Sequence, residues 1–108
     1  MAQIAIHLLG SFEVRLDTQP VTNFGYDKVR ALLAYLAVES RRAHRRETLA
    51  TLLWPDQPAD VARHSLRQAL SLLRRALGEE RAAVPYLIVD RDSIQVNAHA
   101  LAFVDVEF

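Results

Sequence analysis

The chain has 108 residues, thirteen basic and thirteen acidic side chains, no cysteine and 51% hydrophobic residues, which is the profile of one small globular domain. No apolar run reaches the ~18–20 residues of a membrane span, and the start MAQIAIHLLG lacks the basic region of a secretory signal. Without cysteine there is no disulfide framework or thiolate metal site, which fits a reducing cytoplasm.

A neutral total argues against nucleic acid, but the distribution does not. Residues 28–78 carry ten bases against four acids, whereas 1–27 and 79–108 are both acidic. A single-sign field over the middle of the chain can attract a polyanion whatever the total.

The chain begins with strands. IAIHLL (4–9) and FEVRL (12–16) are short alternating runs joined at Gly10-Ser11, as in a hairpin. Phe12, Val14 and Leu16 face one way, Glu13 and Arg15 the other. Asp17 to Pro20 reads as a turn, and Val21-Thr22 as the start of a third strand.

Helical periodicity follows. KVRALLAYLAVES (28–40) buries Val29, Leu32, Leu33 and Leu36 behind an Asp27 N-cap. After the basic segment RRAHRR (41–46), read as a loop, ETLATLLW (47–54) turns Leu49, Leu52 and Leu53 inward and stops at Pro55. Asp56 or Gln57 is expected to cap the third helix, with Pro58 in its first turn and Gly78 ending it after Leu77.

The third helix, 58–77, is the most telling element. At 100° per residue Ala62, Leu66, Leu70, Leu73 and Leu77 form one stripe. Arg63, Arg67 and Arg74 fall on a flank about 60–100° away, with His64, Ser71, Arg75 and Gln68 continuing around. Arginine serves phosphates and guanine edges, and glutamine serves adenine edges, so a leucine-anchored helix of this composition suits a DNA groove. The plain alternative is a solvated face.

YLIVD (86–90) and SIQVN (93–97) then form a hairpin with Arg91-Asp92 at its tip. Residues 98–108 resume a mixed apolar pattern and end on Val106 and Phe108, as if a longer chain continued. The order of elements gives an α+β fold: a small antiparallel N-terminal sheet, three helices and a C-terminal hairpin wing, a winged helix-turn-helix.

Four segments in order carry a closer resemblance: GSFEV with Pro20-Val21, KVRALLAYLA (28–37), RETLATLLWPD (46–56) and ARHSLRQALSLLRRALG (62–78). Together they resemble the OmpR/PhoB-type DNA-binding domain of SARP-type bacterial transcriptional regulators. The closing VDVEF (104–108) resembles the entry to the bacterial transcriptional activator domain (BTAD) that follows in that family. The resemblance implies a winged-helix domain over 1–100 and, over 101–108, the start of a linker or BTAD-like domain.

The resemblance further implies a cytoplasmic regulator, usually an activator. Such proteins bind direct repeats of double-stranded DNA as head-to-tail dimers and help recruit RNA polymerase. Arg63, His64, Arg67, Gln68 and Ser71 would face the major groove, Arg74 and Arg75 the phosphate backbone, and Arg91 the minor groove or backbone beside the wing. Arg46 lies in the second-helix motif; Lys28 and Arg30, near the start of the first helix, read either as phosphate contacts or as solvated charges. Two departures stand out. Arg45 occupies a position often held by a small capping residue, and Asp90 and Asp92 flank Arg91, which disfavours phosphate there.

Other chemistries find little support. His44, His64 and Glu47 lack the spacing of a metal site on one helix, so no metal and no cofactor are expected. His7 and His99 read as structural. His64 and Ser65 diverge by 100° on a helix and cannot easily form a nucleophile–base pair, and no phosphate loop or nucleophile elbow occurs, so no enzyme is expected. Trp54, ending a helix before proline, reads as core. The rival function is a winged helix that docks protein partners through its acidic ends without binding DNA.

Overall fold

The computed structural model describes residues 4–7, 13–16, 19–21, 25–39, 41–78, 86–97 and 101–105, with side chains at 21, 25–39, 41–78 and 86–97. Phe12, Asp17, Thr18, the Gly10-Ser11 turn, Thr22, His99 and residues 106–108 lie outside the described residues, as do the side chains of His7 and of the first two strands.

Strands β1 (Ile4–His7), β2 (Glu13–Leu16) and β3 (Gln19–Val21) form an antiparallel meander, with Ile4 opposite Leu16 and Val14 opposite Val21. Gln19 and Pro20, expected in a turn, belong to β3. That strand lies at the sheet edge, where proline is tolerated. Residues 101–105, which the sequence places past the winged-helix domain, form β7 (Leu101–Asp105) and run parallel to β1. The pairing satisfies the edge of β1 that the meander leaves open.

Helix α1 (Asp27–Val38) buries Val29, Leu32, Leu33, Leu36 and Ala37. Its N-cap is Tyr26 rather than Asp27, and no side chain caps it. Asp27 sits one residue further in, where its charge favours the positive helix end and pairs with Arg30 at 3.1 Å. Helix α2 (Arg46–Leu53) buries Leu49, Ala50 and Leu53. Leu52, expected inward, is 50% exposed. It lies about 100° from the centre of the arc made by the other three, too far round for the core to reach.

Helix α3 (Ala59–Ala76) buries Ala62, Leu66, Ala69, Leu70 and Leu73 and packs on α1 and α2. Its N-cap is Pro58, not Asp56 or Gln57, because the Pro58 carbonyl accepts the first helical bond from Ala62 N–H at 2.8 Å. Gln57 has another role: its Oε1 accepts from Ser65 Oγ at 2.8 Å, tying the α2–α3 turn to the helix. Gly78 ends the helix as expected, at φ 65°, with its N–H on the Arg75 carbonyl at 3.1 Å.

The hairpin forms as expected from β5 (Leu87–Val89) and β6 (Ser93–Val96), closed by Asp90 N–H on the Ser93 carbonyl at 2.8 Å. The segment RRAHRR is not simply a loop. His44 and Arg45 form a two-residue strand, β4 (His44–Arg45), on β6, with His44 opposite Ile94 and Arg45 opposite Ser93. The wing is therefore a three-stranded sheet ordered β4-β6-β5, tied directly to the residue before α2. Ile94, Val96, Leu87 and Tyr86 close the core from this side, with Trp54 buried among the helices.

Candidate nucleic-acid interface

The stripe of α3 leaves its other faces outside. Arg63, His64, Arg67, Gln68, Ser71, Arg74 and Arg75 are all exposed. They remain there because leucines and alanines hold the opposite face at the core: Leu73 and Ala69 have no accessible surface. Arg74 and Arg75 also lie in the last turn, where positive charge complements the negative helix end.

The pairing of β4 with β6 brings the N-terminus of α2 and the wing tip together beside α3. Between them lies a cleft of about 240 Å³ lined by Arg45, Arg46, Glu47, Arg63, Leu66, Arg67, Arg91 and Asp92. Five arginines face two acids across it. Such concentration in a concave surface makes a local positive field that the zero net charge conceals.

Of the residues singled out from sequence, Arg46, Arg63, Arg67 and Arg91 converge on this cleft. Arg45 joins them. Its contribution was visible only as an added cation, since its location depends on the β4–β6 register, which no periodicity reports. Gln68 and Ser71 lie elsewhere, in a shallow depression with Tyr26 and Leu72. Arg63 and Arg67 thus occupy one flank of α3, and Gln68 and Ser71 the other, where helical spacing also places Arg75.

Lys28 is outside both groups. Its Nζ donates to the Leu53 carbonyl at the end of α2. This places a cation on the carbonyl end of a helix, a structural use for a side chain read as a phosphate contact. The acids at the wing tip also have structural partners: the Asp90 carboxylate accepts the Arg91 N–H at 3.0 Å, and the Asp90 and Asp92 carbonyls both bond to Arg46. His44 is buried, as a structural histidine would be, with Nε2 on the Glu39 carbonyl at 2.8 Å and its ring edge-on to Tyr35.

Three helices with an exposed third helix, a hairpin wing and a basic cleft between them define a winged helix-turn-helix domain. The family described as "Transcriptional regulatory protein, C terminal" matches residues 25–93, and the chain belongs to it. The resemblance to the OmpR/PhoB-type domain of SARP-type regulators holds with that membership.

Among individual relatives, the transcriptional regulatory protein EmbR of Mycobacterium tuberculosis and that of Mycobacterium bovis are each 38% identical over 71 residues, which is 66% of this chain and 18% of theirs. A solved structure, Mycobacterium tuberculosis EmbR in complex with a low affinity phosphopeptide, superposes with a TM-score of 0.71 at 29% identity, over 89% of this chain and 25% of that one. The chain therefore spans less than a fifth of the length of the curated relatives. The family and these relatives are transcriptional regulators, not enzymes. Among the described residues no helix is long and apolar enough to cross a membrane.

Proposed function

We propose that this chain is the sequence-specific DNA-binding domain of a cytoplasmic bacterial transcriptional activator, with α3 in the major groove. The observation that carries the reading is the convergence of Arg45, Arg46, Arg63, Arg67 and Arg91 on one cleft between α3 and the wing. A domain that only docked proteins would gain nothing from clustering cations beside an exposed helix.

Arg63, His64 and Arg67 face base edges and the near phosphates. Gln68 and Ser71 read bases on the flank away from the cleft. Arg74 and Arg75 meet the phosphate backbone past the C-terminal turn of α3, and Arg46 and Arg91 meet it beside the wing. Lys28 keeps a structural place. The site is a direct repeat bound by two copies head to tail, and RNA polymerase is the further partner. The match to 18% of the relatives' length supports a longer regulator; the BTAD-like domain after this one rests on the resemblance of VDVEF (104–108) alone.

Two measurements test this reading. The chain is expected to stay on heparin at moderate salt, as a phosphate-binding surface does. Amide chemical-shift changes on adding duplex DNA are expected at residues 63–75 and 91. A chain that flows through heparin, or shifts that cluster away from α3, would favour the protein-docking alternative.

A further inference from the structure

We infer that Arg46 is the positioning residue of the wing. It holds the wing tip against the N-terminus of α2, so that Arg91 is presented at a set distance from Arg63 and Arg67. The inference rests on the DNA-binding reading above only for its effect on affinity.

Arg46 grips both ends of the tip. Its backbone N–H donates to the Asp92 carbonyl at 2.9 Å and its Nε donates to the Asp90 carbonyl at 3.1 Å. The ladder between β4 and β6 ends one residue earlier, at Arg45 opposite Ser93. Arg46 is thus the residue at which the strand bound to the wing becomes the helix that packs on α3. Asp90 and Asp92 are exposed and bracket Arg91, itself exposed.

The chemistry of the side chain matters. The backbone bond to Asp92 does not depend on the side chain, whereas the guanidinium bond to Asp90 does; its acceptor is a neutral carbonyl, so it fixes the geometry without cancelling the charge. A guanidinium is a planar fork, and with Nε engaged by the wing its terminal nitrogens remain on a group that lines the cleft. One phosphate drawn into the cleft can then meet Arg46 while Arg46 holds Arg91 in place. Lysine carries the same charge but lacks the second donor in a fixed plane. A plain phosphate contact needs only the charge, whereas a positioning residue needs the fork.

The test compares Arg46→Lys, Arg46→Gln, Arg91→Ala and the double variant Arg46→Gln/Arg91→Ala of the 108-residue chain. In the free protein, hydrogen exchange at the amides of residue 46 and Asp90 is expected to quicken about tenfold in both Arg46 variants, with the α3 amides unchanged. On a direct-repeat duplex, Arg46→Lys is expected to lose affinity nearly as Arg46→Gln does. The double variant should bind within about twofold of Arg46→Gln alone, because freeing the wing already forfeits Arg91. Unchanged wing exchange in both variants would overturn the inference. So would wild-type affinity in Arg46→Lys together with strictly multiplicative losses in the double variant. If the wild-type chain binds no duplex, the DNA reading fails, and the exchange rates still decide whether Arg46 positions the wing.

Discussion

His44 Nε2 lies 2.8 Å from the carbonyl of Glu39, and its ring stands edge-on to Tyr35 with centroids 5.2 Å apart. A carbonyl can only accept, so Nε2 carries the proton and the imidazole is a donor here. The contact fastens β4, and through it the wing, to the C-terminal end of α1. His44→Ala is expected to cost about 1–3 kcal/mol in urea unfolding, since it removes a buried donor and the ring packing together. A loss below about 0.5 kcal/mol would show that the wing does not need this anchor.

Leu73 and Leu52 test the placement of the core. Leu73 has no accessible surface, whereas Leu52 is half exposed. Leu73→Ala is expected to destabilise the domain by about 2–5 kcal/mol, which lowers Tm by roughly 10 °C or more at this chain length. Leu52→Ala should change stability by no more than about 0.5 kcal/mol. Equal effects in thermal unfolding would contradict the rotation assigned to α2.

Lys28 separates a structural cation from a DNA contact. With Nζ on the Leu53 carbonyl, Lys28→Met should cost about 0.5–1.5 kcal/mol of stability. The slope of log affinity against log salt should not change. A slope reduced by about one, at unchanged stability, would return Lys28 to the phosphate-binding set.

On α3 and the wing the arginines should divide by role. Arg67→Ala is expected to weaken binding by about 1–3 kcal/mol and to relax selectivity among duplexes. Arg91→Ala should weaken all duplexes alike and lower the salt slope by about one. Competition binding against a panel of duplexes reads both effects, and uniform loss in Arg67→Ala would remove it from the base-reading set.

Much of this molecule is readable without coordinates, and the unreadable parts have identifiable causes. The stripes of α1 and α3 and the stop at Gly78 follow from helical periodicity and the left-handed conformation open to glycine, and the structure has them where expected. The caps of α1 and α3 were displaced by a residue or two because no side chain caps either end, which leaves no local signal. Leu52 sits outside the face expected of it because eight residues give too short a helix to define its own face. The strand at His44–Arg45 was hidden because two residues in a basic run show no alternation, and its partner lies some fifty positions away in β6. That strand brings Arg45 and Arg46 to the wing, so the composition of the interface was legible but its cleft was not.

DNA binding by sequence needs α3 and the wing together. Fluorescence anisotropy of the chain with a pool of direct-repeat duplexes, titrated across salt, tests it most directly. A steep salt dependence, reflecting several released counterions, and clear preference for some duplexes over others are expected. Absence of binding to every duplex at low salt, by the chain and by two copies tethered in tandem, would contradict it.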